Sequence, residues 1–280
     1  MIRSRIGRLI AAAITTLFVG EALPASAQTA PPLGTAQSYA VLAGSTVTNT
    51  GPSVITGDLG LSPGSAVTGF PPGLVSGGTI HAADAAALSA QSSLTTAYNS
   101  AAGQSCTLDL SGQDLGGQVL TPGVYCFSSS AQLTGTLTLN GQGNAASIWI
   151  FKIGSTLTTA SGSSVVMSGS GSQCSVFWQV GSSATVGTGT SLVGNILALT
   201  SITMTTGANL IGRALARNGA VTLDTNNINP SACAATPVPT LPQVFLLVLA
   251  LGLAGLGVLR LMRPARARDS AADLSRGGRL

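Results

Sequence analysis

Thr185-Val186-Gly187-Thr188-Gly189-Thr190, Thr203-Met204-Thr205-Thr206-Gly207-Ala208-Asn209 and Thr222-Leu223-Asp224-Thr225-Asn226-Asn227 are versions of one phrase, and their spacing decides the fold. An earlier copy reads Thr156-Leu157-Thr158-Thr159-Ala160-Ser161. The leading threonines at 156, 185, 203 and 222 are separated by 29, 18 and 19 residues. A repeat near eighteen suits a three-faced β-solenoid, with about six residues for each face and corner. Stacked coils set equivalent side chains about 4.7–4.9 Å apart. On this reading Thr156, Thr185, Thr203 and Thr222 form one file, and Thr159, Thr188, Thr206 and Thr225 a second. Ser161, Thr190, Ala208 and Asn227 form a third. A ruled, weakly polar surface of this kind is a candidate for binding a repetitive solid. Each Thr offers a methyl and a hydroxyl.

The surrounding sequence agrees with a mostly β body. Leu133-Thr134-Gly135-Thr136-Leu137-Thr138-Leu139 alternates apolar and polar residues, as a strand buried on one face does. Ser147–Ile153 and Ser175–Val180 are richer in Ile, Val, Phe and Trp and read as deeply buried strands. Ser45–Thr50 and Val54–Leu61 read as short strands between turns. Residues 79–102 differ: they lack Gly and Pro and place Ala83, Ala86, Ala87, Ala90, Leu94, Ala97 and Tyr98 at helical steps. One long helix with a small-residue face is expected there, ended by Gly103 and packed beside the β body.

The two ends read as targeting segments. Residues 1–27 carry Arg3, Arg5 and Arg8, an apolar run, and Ala25-Ser26-Ala27, the pattern of a cleaved signal peptide. The domain is expected over 28–229, followed by a Pro-rich linker at 230–243. An apolar segment at 244–262 suits a transmembrane-like helix, and 263–280 a basic cytoplasmic tail. Between Gln28 and Gln243 there are three basic and five acidic residues, so the basic sequence pI of about 9.2 belongs to the ends. Nucleic acid is therefore not an expected partner, since phosphate binding needs clustered Lys and Arg.

Cys106, Cys126, Cys174 and Cys233 form an even set in an exported chain, which favours disulfides over metal or redox roles. Three connectivities are possible; chain order and proximity favour Cys106–Cys126 and Cys174–Cys233. No enzyme signature is found. The single histidine, His81, sits at the expected helix start as a surface or capping group, and no nucleophile elbow, zincin motif or P-loop occurs. Gly141-Gln142-Gly143-Asn144-Ala145-Ala146 matches a dinucleotide-binding pattern in letters but precedes a strand, so it reads as a turn. No cofactor and no metal is expected.

Several stretches resemble the bacterial and fungal ice-binding protein family. They are Tyr39-Ala40-Val41-Leu42-Ala43-Gly44, Gly57-Asp58-Leu59-Gly60, Leu120-Thr121-Pro122-Gly123-Val124-Tyr125, Ile150-Phe151-Lys152-Ile153-Gly154, Phe177-Trp178-Gln179-Val180-Gly181 and Gly212-Arg213-Ala214-Leu215-Ala216-Arg217. The likeness runs from about 33 to 228. It implies a right-handed, discontinuous three-faced β-solenoid whose N- and C-terminal parts close around the inserted helix. It also implies an ice-binding face with a Thr-Ala/Gly-x-Thr/Asn pattern. Thr206-Gly207-Ala208-Asn209 fits that pattern in full, and Thr188-Gly189-Thr190-Ser191 and Thr159-Ala160-Ser161-Gly162 fit in part. The expected role is an exported, monomeric, non-enzymatic protein that adsorbs to an ice crystal surface and inhibits growth or recrystallisation. A cell-surface structural or adhesive domain that binds polysaccharide by the same face is the alternative. Val238-Pro239-Thr240-Leu241-Pro242, with the apolar segment and arginines after it, resembles a bacterial C-terminal sorting signal and implies display or release at the cell envelope.

Overall fold

The computed structural model describes residues 28–230. The expected signal segment, the linker beyond Pro230, the apolar segment and the basic tail lie outside the described residues, as does Cys233. No helix among the described residues is long and apolar enough to cross a membrane.

Every strand pairing is parallel, and the pairings divide into three faces. The first face stacks, in spatial order, Ala131–Leu133, Leu157–Thr159, Ala184–Val186, Ile202–Met204, Val221–Asp224, Thr46–Thr50 and Ala66–Thr68. The second carries Thr136–Asn140, Ser164–Ser168, the first halves of Ser191–Ala198 and Asn209–Ala216, then Asn227–Ile228, Val54–Thr56 and Leu74–Ser76. The third carries Leu108–Asp109, Gly123–Phe127, Trp149–Ile153, Val176–Val180, the second halves of the two long strands, then Tyr39–Ala43, Asp58–Leu61 and Ile80–Ala82. The two eight-residue strands turn a corner at Gly194 and Gly212, which lie in register. A Cβ on Gly212 would fall 1.8 Å from the Gly194 carbonyl oxygen, so this sharp corner requires glycine.

The stack is discontinuous in sequence. The last coil sits directly against the first: Val41 is in register with Ala214, Thr48 with Thr222 and Val54 with Asn227. The chain winds two N-terminal coils at one end, crosses to the other, and winds back to meet them. The crossing is made by helix α1, Ala85–Ala102. Its 18 residues span about 27 Å, most of the roughly 38 Å that eight strand spacings require. It lies on the third face, where Ala90, Leu94, Ala97 and Ala101 are buried against Leu42, Ile150, Phe177, Leu197 and Leu215. Alanines at that contact bring the helix close to the sheet. The buried Gln91 amide donates to the Ala216 carbonyl at 3.1 Å, and Arg217 lies 4.9 Å from the Tyr98 ring centroid.

The helix begins six residues later than the periodicity implies. Ile80–Ala82 is drawn into the third face as its edge strand, and Ala83 takes a positive φ of 56°. Asp84 then caps α1 by accepting the Ala87 N–H at 2.8 Å. His81 braces that cap, with Nδ1 2.7 Å from the Asp84 carboxylate and Nε2 2.8 Å from the Thr79 hydroxyl. Sheet pairing overrides the local helical pattern over residues 79–84.

Inside the coils, apolar residues from successive strands stack in files. Tyr125, Phe151 and Trp178 are in register, with ring centroids 5.6 and 4.1 Å apart and near-parallel planes. The far end of the stack is stapled by the expected Cys106–Cys126 disulfide, with Cα atoms 5.8 Å apart. Cys174 lies in the short 3₁₀ turn Gln173–Ser175 that precedes the Val176–Val180 strand. Gly141–Ala146 is a turn between two strands, as its sequence context implies.

The corners and the capping carboxylates each bear on stability. Gly189 and Gly207 sit at φ of 64° and 69° with open space where a Cβ would stand, so Gly189→Ala or Gly207→Ala should cost about 1–2 kcal/mol by backbone strain alone. Thermal melts should show each variant melting a few degrees lower. Asp84, Asp109 and Asp114 are all held below the ordinary carboxylate value of 3.8. The Ala87 N–H and His81 do this for Asp84, and Ser111 for Asp109. At Asp114 partial burial opposes the shift but is outweighed by the N–H groups of Gly116 and Thr134. Because these groups titrate lower when folded, their stabilisation is present above the unfolded value and is lost as pH falls through the folded ones. The melting temperature should be flat from neutral pH to about 5 and fall below about 4.

Candidate functional site

The first face is uncovered by the helix and carries one unbroken outward file. Strand register aligns Gln132, Thr158, Thr185, Thr203, Thr222, Thr48 and Thr68. Their flanking neighbours point inward: Leu157, Ala184, Ile202, Val221 and Val47 on one side, Val186, Met204 and Leu223 on the other, all buried. Period-two alternation therefore sends all six threonines to the same surface, about 4.8 Å apart along the stack. The hydroxyls of Thr48 and Thr222 are 3.3 Å apart, a hydrogen bond across 174 residues of sequence.

A second exposed row follows at the corner between the first and second faces. Ser161, Thr188 and Thr206 each lie three residues before a registered strand start at Ser164, Ser191 and Asn209. Thr225 lies two before Asn227, because that corner is one residue shorter. Next comes a positive-φ position filled by Gly162, Gly189 and Gly207, and by Thr225 itself at 56°. The glycines after threonine in the repeated phrase therefore serve the turn. The Thr188 and Thr205 hydroxyls meet at 3.3 Å, and the Thr206 hydroxyl donates to the Asp224 carboxylate, which also accepts from Thr225.

The last corner position points inward and is polar in four coils, with Ala208 in its place before Asn209. Ser163, Thr190, Asn226 and Ser53 occupy it in different coils and are all buried. They satisfy the backbone groups released by the turn. The Ser163 hydroxyl donates to Leu133 O at 3.0 Å, and Asn226 Nδ2 donates to Thr205 O and Ala208 O at 2.9 and 2.8 Å. The Ser53 hydroxyl accepts the Asn226 N–H at 2.9 Å. Thr190 donates to Ala160 O at 3.1 Å and meets Thr159 at 2.9 Å, and Thr159 in turn accepts the Gly187 N–H at 2.8 Å.

These placements revise the files expected from spacing. Thr185, Thr203 and Thr222 share one outward file, but Thr156 does not: its place is taken by Thr158, and Thr156 sits at the preceding corner, 2.8 Å from Ser130. Matching leading threonines over 29 residues is two residues too long, since the coil step from Thr158 to Thr185 is 27. Thr159 and Thr190, 3% and 0% exposed, face inward and present nothing to the surface. Thr188, Thr206 and Thr225 are exposed beside Ser161 rather than Thr159. Asn209 is exposed on the second face, in register with Ser191 and Asn227. Spacing along the chain misses Thr48, Thr68 and Gln132. Thr46-Val47-Thr48 and Ala66-Val67-Thr68 show the same alternation, but only the long-range closure places them in this file.

Among the described residues no group of His, Cys, Asp and Glu is arranged to hold a metal ion. The surface offers hydroxyls and methyls on a rigid frame, with the Asp224 carboxylate at one edge.

Comparison with known proteins agrees with this geometry. A family model described as ice-binding-like matches residues 41–229. The ice-binding protein of Nostoc sp. (strain HG1) is 54% identical over 230 residues, covering 80% of this chain and 84% of that protein. Ice-binding protein K1-A of Typhula ishikariensis is 34% identical over 213 residues, 69% of this chain and 84% of that one. Among solved structures, an ice-binding protein from an Antarctic biological consortium superposes with a TM-score of 0.71 at 48% identity, covering 74% of this chain and 94% of its own. Sequence and fold agree across the described domain, and this chain belongs to the ice-binding-like family.

Proposed function

We propose that this protein adsorbs to ice through the first face and so inhibits ice growth and recrystallisation. The observation that carries the reading is the file of six outward threonines, Thr158, Thr185, Thr203, Thr222, Thr48 and Thr68, held in register by parallel pairing. Ser161, Thr188, Thr206 and Thr225 extend the contact zone at the corner. Each threonine contributes a methyl that rests against the lattice and a hydroxyl that joins its hydrogen bonds. One such contact is weak. Many made at once are strong, because the frame was ordered during folding and little further freedom is lost on binding. Bound molecules pin the ice front, which must then curve between them to advance.

The wider biology follows from the same sequence. The signal-like segment 1–27 supports export, and the even cysteine set supports a second disulfide, Cys174–Cys233, in an oxidising compartment. We read the chain as a monomer at the cell envelope or outside it, held or released through the segment after Pro239. A catalytic role has no support in the residues present: the one histidine, His81, is engaged in the helix cap.

Thr203→Tyr and Thr185→Tyr should each abolish recrystallisation inhibition while changing stability by no more than about 0.5 kcal/mol. Ser92→Tyr, on the exposed side of α1, should leave inhibition intact. Loss of activity in Ser92→Tyr together with retention in both face variants would move the surface elsewhere. Thr159→Val is the complementary test. It strips a buried hydroxyl from the Gly187 N–H and should cost roughly 1–3 kcal/mol by thermal melt, with ice activity retained wherever the protein remains folded.

A further inference from the structure

Beside the C-terminal half of α1 the third face leaves a hollow of about 480 Å³ that ice adsorption does not use. Strand register places Asp109, Cys126, Lys152 and Gln179 in one outward file across four neighbouring strands. Beyond Gln179 the file continues as Leu197, Leu215 and Leu42, which the helix covers. The hollow therefore begins where the helix cover ends, and the apolar side chain on its helix side is Tyr98, while Phe127 turns its ring into the solenoid core. Cys126 is committed to its disulfide with Cys106, which fixes the Asp109 strand beside it.

Gln179 marks this hollow as more than a surface dent. The residue is only 6% exposed and lines the hollow, yet its side-chain amide makes no hydrogen bond among the described residues. Asn49 Oδ1 alone is a solvent-inaccessible, unbonded side-chain polar atom among the described residues, so the Gln179 amide reaches solvent through the hollow, where water or a ligand meets it. Lys152 donates to the Gln104 carbonyl at 2.6 Å, which uses one of its three N–H groups. The Asp109 carboxylate accepts from both the N–H, at 2.8 Å, and the side chain of Ser111, and as an exposed group keeps further lone pairs open to the hollow. The hollow thus offers donors from Lys152 and Gln179 and acceptors from Asp109 and Gln179. Its one positive and one negative group cancel, so a ligand with net charge gains nothing.

We propose that this hollow binds a neutral saccharide, with Gln179, Asp109 and Lys152 meeting its hydroxyls and Tyr98 its apolar ring face. A sugar hydroxyl is both donor and acceptor, so vicinal hydroxyls match this mixed set where a carboxylate or an ammonium matches half of it. The volume suits a mono- or disaccharide unit. The hollow opens at the corner that leads from Gly123–Phe127 into the first face, not on the threonine file itself. An ice-bound molecule could therefore hold a glycan at the same time. This inference does not depend on ice binding.

The test is saturation-transfer NMR on the intact protein with glucose, galactose, N-acetylglucosamine, maltose and trehalose, with choline and acetate as charged comparators. At least one neutral sugar should bind with a Kd in the roughly millimolar range. Gln179→Met and Asp109→Asn should each weaken it roughly tenfold or more, and Thr203→Tyr should leave it unchanged. Because Gln179→Met removes an amide that bonds nothing in its own chain, at nearly constant shape, its melting temperature should be equal or higher. A lowered melting temperature would make Gln179 a structural residue and overturn the assignment. So would the absence of transfer to any sugar, tighter binding of acetate or choline, or sugar binding that both variants leave intact.

Discussion

Each coil is hydrogen-bonded to the coils on either side, and side chains alternate with a period of two. A slip of one residue would exchange Thr203 for Ile202 or Met204 on the outer surface. The buried set makes that slip prohibitive. Ile202, Met204, Val221 and Leu223 are essentially unexposed, and turning them to water would forfeit roughly 1.5–3 kcal/mol for each fully buried side chain. Threonine stays outside because something larger and apolar holds the inside. The surface is thus a by-product of core packing, which explains how so weakly polar a face keeps its geometry.

The corners complete that frame. A solenoid corner leaves backbone groups without strand partners, and leaving them bare in the interior would be costly. Ser163, Thr190, Asn226 and Ser53 answer this from inside, one in each coil concerned, while Gly162, Gly189 and Gly207 supply the left-handed turn. The same short phrase therefore does two jobs: its exposed hydroxyl faces solvent, and its buried polar residue fastens the bend. Closure of the stack is a separate matter. The first coil can pair only after the last has formed, because the Val221–Asp224 strand lies between Ile202–Met204 and Thr46–Thr50. Contacts of such sequence separation make folding slow relative to a locally wired helical domain.

Much of this is legible in the chain. The eighteen-residue step from Thr185 to Thr203 is a true coil repeat, and Cys106–Cys126 and the alternation through Leu137 and Leu139 read correctly. What spacing does not show is direction. Thr158 and Thr159 are adjacent and chemically identical, yet one faces water and the other bonds Thr190 inside. The distinguishing signal is the apolar neighbour: Leu157-Thr158 aligns with Ala184-Thr185, so anchoring on the buried residue finds the file. The contribution of Thr48 and Thr68 is out of reach, because a repeat search along the chain does not see the first coil dock on the last. The helix start is misplaced for a related reason. Residues 80–82 are suited to a helix locally but complete a sheet edge.

The most direct measurement is growth of a single-crystal ice hemisphere from a solution of this protein carrying a fluorophore on the exposed side of α1. Adsorption through the threonine face predicts that the dye is overgrown and retained in patches on particular crystal planes. Dye swept ahead of the front, leaving clear ice throughout, would contradict adsorption and leave the ordered threonine file without the role assigned to it.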